Sequence, residues 1–173
     1  IPCTKIKTND YTAISEATNN LIGSKRNKII LVSTINKLNV GKQRTKGYRK
    51  AMEYAGLSSV VLEANLNQIE NSLRDYAKNN AFDAVIALDT DASFAVYKVA
   101  SELGKNIPSD IAVIGYMSER IAPYLTPELT TINQHSYTMG ETAAKMLLTQ
   151  LESKQNTDQT ILIDSTMSQR VSA

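Results

Sequence analysis

Residues 83–89 read Asp-Ala-Val-Ile-Ala-Leu-Asp, a short apolar run enclosed by two carboxylates. An uninterrupted apolar run of this length is typical of a β-strand buried on both faces, as in a parallel sheet. A helical stripe follows directly, with apolar residues at positions 92, 95, 96, 99 and 103, and Gly104 ends it. The stretch therefore predicts a strand followed by a helix, which is the repeating half of a βαβ unit.

The same alternation extends along the chain in both directions. Apolar runs predict further strands over 28–33, 59–62, 111–116 and 161–163. Helical stripes predict further helices around 14–21, 48–55, 66–77 and 139–151. Strands that alternate with helices favour right-handed βαβ units, so the predicted fold class is α/β, a doubly wound parallel sheet centred on residues 28–116.

Composition excludes several classes of protein. The 173 residues are 42% hydrophobic and 21% charged, with a formal net charge of +2, which is ordinary for a globular domain and is not the footprint of a polyanion-binding module. Cys3 and His135 are the only residues of their types, so a Cys/His zinc cluster is excluded and a cytosolic setting is favoured. The seven glycines give neither a dinucleotide nor a phosphate-loop motif. We therefore expect no metal and no cofactor.

Two further expectations come from the start and the hydropathy of the chain. The sequence opens with Ile1-Pro2-Cys3 and shows no signal peptide, so we expect a piece of something longer. No stretch approaches the length of an apolar membrane span, so we expect no association with a membrane.

Candidate functional residues lie where strands end, because ligands of open α/β sheets bind beyond the carboxyl ends of the strands. Arg44 shares the inward stripe of its helix with Tyr48, and its guanidinium suits hydroxyls or a carboxylate. The alternative is a structural ion pair. Asp89 closes a strand just before a helix, where N-capping is the simpler interpretation. His135 has no nucleophile at a supporting spacing, so we predict no catalytic residue and no enzyme.

Several motifs in order resemble the lactose/galactose-repressor (LacI/GalR) family. They are the residues 83–89, 104–116, 127–134 and 139–140, the Arg-x-x-Gly-aromatic stretch at 44–48, the polar pair Asn9-Asp10 before a helix, and the Arg-x-Ser at 170–172. The resemblance covers nearly the whole chain.

The resemblance implies the effector-binding core of a transcriptional regulator with a periplasmic-binding-protein-like (type I) fold. Residues 1–27 would end the amino-terminal lobe, and 28–131 would form the carboxy-terminal lobe. Residues 132–155 would cross back to the amino-terminal lobe, and 156–173 would return as a strand to the carboxy-terminal lobe. The helix-turn-helix headpiece would be missing. Helices 12–22 and 137–151 would then lack the sheet that covers their apolar stripes.

The resemblance also implies contacts with a small effector, a sugar or a derivative of one. Arg44 matches the sugar-contacting arginine, Asp10 a polar crevice position and Gln134 a crossover residue, with Asp89 at the end of its strand. The family often has Asn where this chain has Leu88, and Asp where it has Met117. Losing an amide and a carboxylate removes two hydroxyl-recognising groups and argues against a typical neutral sugar. A more apolar effector, a protein or no effector stay open.

A homodimer is implied as well, through Ile121, Tyr124 and Leu125 ahead of Pro127, although packing under their own loop is the alternative. Operator DNA would be bound only through the missing headpiece, and the setting would be the cytoplasm, with repression as the expected activity.

Two alternative functions remain: a periplasmic sugar- or solute-binding protein of a transport system, and an enzyme on the same fold. The absence of Trp and the presence of only two Phe argue against the first, since aromatic stacking of sugars is common there. Fold alone does not decide among the three.

Overall fold

The structure is a computed structural model that describes residues 3–153 and 158–173. Its elements, in chain order, are β1 (Lys5–Thr8), α1 (Asp10–Gly23), β2 (Ile29–Ser33), α2 (Asn39–Tyr54), β3 (Val60–Glu63), α3 (Leu66–Asn79), β4 (Ala84–Ala87), α4 (Thr90–Glu102), β5 (Ala112–Gly115), β6 (Thr130–Asn133), α5 (Ser136–Ser153), β7 (Thr160–Ile163) and β8 (Thr166–Ser168). A single 3₁₀ turn, Ala122–Tyr124, lies between β5 and β6.

Two sheets organise these elements. The larger has six strands in the order β3-β2-β4-β5-β6-β8, parallel throughout except for the antiparallel pair of β6 and β8. The smaller consists of β1 and β7, which run parallel with Lys5 opposite Thr160. The predicted fold class is therefore present. Helices α2, α3 and α4 connect the successive parallel strands from β2 to β5, whereas the link from β5 to β6 carries only the 3₁₀ turn.

The large sheet is covered on both faces. All residues of β2, β4 and β5 are buried. Their alternate side chains enter two separate cores, one with α1 and α2 and the other with α3 and α4. This explains the uninterrupted apolar runs in the sequence, because a strand with helices on both faces has no solvent side.

The Arg-x-x-Gly-aromatic stretch of α2 holds that helix in place. Gly47 lies against the backbone of Tyr11 in α1, and a Cβ at this position would clash with the Tyr11 carbonyl oxygen. The next residue, Tyr48, is fully buried, and its hydroxyl donates to the Ile29 carbonyl at 2.8 Å and accepts from the Val60 amide at 2.9 Å. Burial raises the pKa of Tyr48 to about 12. The stretch therefore fixes α2 against both α1 and the β2–β3 pair.

Helix α1 differs from its prediction. Its apolar stripe (Ala13, Ile14, Ala17 and Leu21) is buried in the same core as β2, β4 and β5. The expectation that this helix lacks its sheet is wrong, because the large sheet itself covers the stripe. The boundary proposed at residue 27 accordingly separates α1 from the core in which it packs.

The last strands also differ from their prediction. The run at 161–163 does form a strand, β7, but it pairs with β1 and not with the large sheet. The strand that returns to the large sheet is β8, whose three residues pair with β6. A Thr-Met-Ser strand has too little apolar character to stand out in the sequence.

Helix α5 packs against β1, and none of its residues 136–153 is buried. Leu147, Leu148 and Leu151 are each more than half exposed, as expected for this helix. Within residues 3–153 and 158–173, no helix combines the length and the apolar character that a bilayer crossing requires.

Candidate functional site

A pocket of about 580 Å³ opens at the carboxyl ends of the central strands, and we refer to it as the strand-end pocket. One wall comes from α2 and the strand ends, with Arg44, Asp89 and residues 116–120. The other wall is the segment 132–138, where the chain leaves β6 and enters α5. A concave site of this size at the carboxyl ends of parallel strands is typical of small-molecule binding.

Arg44 is the most constrained side chain of the pocket. It is only 3% exposed, and its Nε donates to Asp10 Oδ1 at 2.8 Å. Its Nη1 donates to the Leu88 carbonyl oxygen at 2.7 Å. The structural and the functional interpretations of Arg44 are therefore compatible, since the ion pair with Asp10 orients the guanidinium at the pocket wall.

Tyr116 lies flat beneath that guanidinium. The Arg44 Cζ atom is 3.5 Å from the centre of the Tyr116 ring, a close cation–π contact. Tyr116 is 4% exposed, and its hydroxyl has no hydrogen-bond partner among the described residues. Burial raises the pKa of Tyr116, so its hydroxyl stays protonated at neutral pH.

Asp89 is the N-cap of α4. Its Oδ1 accepts from the Ala92 amide and its Oδ2 from the Thr34 amide, both at 2.9 Å. The capping interpretation is confirmed, and the second bond also anchors the loop after β2. Asp89 still lines the pocket, although both of its oxygens already accept hydrogen bonds.

Glu119 forms an ion pair with Arg170, a residue far along the chain. Its Oε2 accepts from Arg170 Nη2 at 2.5 Å, and its Oε1 accepts from the Thr131 hydroxyl. Burial raises the pKa of Glu119, but hydrogen bonds from Thr131, Arg170 and Ser168 outweigh it, so the pKa lies below its usual range. Arg170 also donates to the Leu129 carbonyl at 3.0 Å.

Hydrogen bonds join the three chain segments that connect the two sheets. The Ser165 amide donates to Asn9 Oδ1 at 2.8 Å, which ties the β7–β8 link to the β1–α1 link. His135 Nε2 lies 2.9 Å from the Thr166 hydroxyl, which ties the β6–α5 link to β8. His135 has a positive φ of 50°, a conformation uncommon for this residue type and placed here where the chain turns into α5.

The structure brings together four of the residues predicted for effector contact: Arg44, Asp89, Met117 and Gln134 line the strand-end pocket. Asp10 touches it through Arg44 and lines a neighbouring cleft. Leu88 differs from its prediction, because its side chain is fully buried in the core with α1 and α2, and only its carbonyl oxygen faces Arg44.

The three residues predicted for a dimer interface divide into two kinds. Ile121 and Tyr124 are 43% and 86% exposed beside the 3₁₀ turn. Leu125 is partly buried against the core with α3 and α4. The first two therefore expose more of their side chains to a partner than Leu125 does.

The pocket residues that the sequence does not single out include Tyr116, Glu119 and Arg120. All three lie at or just after the end of β5, where the strand-end rule directs attention. Their roles depend on which partners are already engaged, and the sequence does not give that information. Among the described residues, no three His, Cys, Asp or Glu side chains are grouped to hold a metal ion.

The chain has a doubly wound sheet, a buried arginine at the wall of a polar pocket, and three segments that connect the two sheets. Together these features define a ligand-binding α/β domain. Residues 18–173 match the sequence profile of the periplasmic binding protein-like domain, and the chain belongs to that family.

Individual relatives are similar over most of the chain. The HTH-type transcriptional repressor PurR of Photobacterium profundum is 28% identical over 156 residues, which cover 87% of this chain and 47% of the relative. The ribose operon repressor of Bacillus subtilis is 31% identical over 147 residues, covering 83% of this chain and 45% of the relative. The chain thus spans a little under half the length of these curated relatives.

A solved structure shows the same fold. The LacI-family transcriptional regulator from Enterococcus faecium, solved with bound ribose, superimposes with a TM-score of 0.88 at 25% identity, over 96% of this chain and 64% of that one. These similarities confirm the resemblance to LacI/GalR regulators.

Proposed function

We propose that the chain is the effector-binding and dimerisation region of a DNA-binding transcriptional repressor that works in the cytoplasm. The observation that carries the proposal is Arg44, buried at the wall of the strand-end pocket and oriented by Asp10 and the Leu88 carbonyl. The relatives named as repressors support regulation over transport. Binding and not catalysis is the expected chemistry.

The connecting segments supply a route from ligand to DNA. An effector in the strand-end pocket contacts the segment 132–138, which is bonded through His135 to Thr166 at the start of β8. A ligand that prefers one orientation of the sheets shifts the population toward it by its difference in affinity. That orientation would be transmitted to a DNA-binding headpiece joined to this region.

Transcript profiling of the source cell with this gene deleted tests the regulator proposal. We expect a small set of transcripts to rise when the gene is lost and to return when it is restored. Unchanged transcripts together with a defect in the uptake of one solute would overturn it in favour of the transport alternative.

Sedimentation of the chain tests the proposed dimer. Tyr124 is 86% exposed, and burial of a large aromatic side chain is a common anchor of interfaces. We expect a wild-type dimer that Tyr124→Glu converts to a monomer. Tyr54→Glu is the matched control, because Tyr54 is 80% exposed on α2 and should leave the dimer intact. A monomeric wild-type chain would contradict the proposal.

A further inference from the structure

The carboxylates of the strand-end pocket are already engaged. Asp89 and Glu119 are the acidic residues that line it. Both oxygens of Asp89 accept backbone N–H groups, and both oxygens of Glu119 accept from Thr131 and Arg170. A ligand hydroxyl that needs a carboxylate acceptor would have to share an oxygen that already accepts a hydrogen bond.

Two cationic donor groups of the same pocket have no hydrogen-bond partner among the described residues. The side chain of Arg120 is exposed and has no ion pair or hydrogen bond with the described residues. The Nη2 group of Arg44 likewise makes no hydrogen bond within the described part of the chain, whereas Nε and Nη1 do. The pocket therefore offers two positively charged groups with donor positions to spare, one on Arg120 and one on Arg44.

We propose that the strand-end pocket selects an anionic effector, a small metabolite bearing a carboxylate or a phosphate. Arg120 and the free Nη2 of Arg44 would bind its oxygens, because charge-assisted hydrogen bonds are stronger than those between neutral groups. The hydroxyls and amides of the segment 132–138 can donate or accept and so do not oppose this choice. The inference rests on the proposed function and names the class of ligand for that site.

Calorimetric titration of the chain at constant ionic strength tests the selection. The probes are ribose, ribonate, ribose 5-phosphate, acetate and inorganic phosphate. We expect the anionic sugars to bind at least about tenfold more tightly than ribose, as one charge-assisted bond predicts. The tighter of ribonate and ribose 5-phosphate shows whether carboxylate or phosphate is the preferred group.

Two arginine variants locate the effect. Arg120→Gln should weaken binding of the preferred anion about tenfold. Arg49→Gln makes the same change of net charge on the exposed face of α2, outside the pocket, and should leave the affinity unchanged. An equal loss in both variants would mean long-range attraction only and would overturn the site.

Ribose binding as tightly as its anions, or no binding of any anion in the millimolar range, would overturn the anion proposal. Neither result bears on the regulator proposal, which the transcript profile tests separately. Failure of that profile with anion selection intact would instead indicate a carrier of anionic solutes.

Discussion

Helices α1 and α5 carry similar apolar stripes, yet α1 buries its stripe and α5 does not. The stripe of α1 is buried between α2 and the six-stranded sheet. Helix α5 lies on the two-stranded sheet and buries none of its residues 136–153. A periodic pattern therefore indicates that a helix has a face to cover, and it does not say what covers that face.

Replacing one leucine by alanine in each helix should give the largest difference in the free energy of unfolding between the two regions. Leu21→Ala empties a fully packed position in α1 and should lower the free energy of unfolding by about 2–5 kcal/mol. Leu148→Ala in α5 removes a side chain that is 58% exposed and should change it by less than about 0.5 kcal/mol. Urea denaturation of both variants measures the difference. Equal losses would mean that α5 has a packed face after all.

Replacing one glycine by alanine in each region should change the free energy of unfolding in opposite directions. Gly47→Ala forces a Cβ against the Tyr11 carbonyl and should destabilise the chain by about 1–3 kcal/mol. Gly140→Ala in α5 meets no described atom within 4 Å and should stabilise it by about 0.5–1 kcal/mol through helix propensity. Thermal unfolding followed by circular dichroism gives both values. A neutral Gly47→Ala would show that α1 and α2 can move apart freely.

Alkaline pH should weaken the six-stranded region through Tyr48. Its folded pKa of about 12 lies above the unfolded value of 10.0, so its contribution is complete below pH 10 and is lost as pH rises from 10 to 12. Tyr48→Phe should cost about 1 kcal/mol at pH 7, from lost hydrogen bonds, and should make the loss of stability over this interval shallower. Part of the loss of stability between pH 10 and 12 should remain in Tyr48→Phe, because the pKa of Tyr97 is also raised to about 12.

The control for that series lies in α5. Tyr137 is 85% exposed, so Tyr137→Phe should leave the free energy of unfolding at pH 7 as it is in the wild-type chain, unlike Tyr48→Phe. Denaturant titrations at several pH values provide the comparison. The same slope in the Tyr48→Phe and wild-type chains would show that Tyr48 does not govern alkaline stability.

Strands formed by continuous apolar runs were the most predictable part of the fold. The apolar runs at 28–33, 59–62, 84–88 and 111–116 all became strands of the large sheet, in parallel order. The strands β1, β6 and β8 were not predicted, because Lys5–Thr8, Thr130–Asn133 and Thr166–Ser168 are short and rich in polar residues. Their pairing depends on distant segments and not on local pattern.

The site was predictable in its position and less so in its chemistry. The place of Arg44 followed from the helical stripe that it shares with Tyr48 and from the strand-end rule. The burial of Leu88 away from the pocket depends on which face of the strand each residue takes as the strand ends. The free hydroxyl of Tyr116 and the engaged oxygens of Asp89 are properties of the assembled network, so only the structure shows them.

Ser172 bonds at once to two strands of the large sheet. Its hydroxyl donates to the Val113 carbonyl at 2.6 Å in β5 and accepts from the Thr130 amide at 2.8 Å in β6. Because Thr130 precedes Ser172 by 42 residues, a ribosome that adds roughly 5–20 residues per second makes the two about 2–8 s apart. During translation, β5 and β6 must therefore wait, with one edge of the sheet unpaired, for residues 166–172 to be synthesised. Nascent chains are thus open to association with one another at this edge for a period that the speed of translation determines.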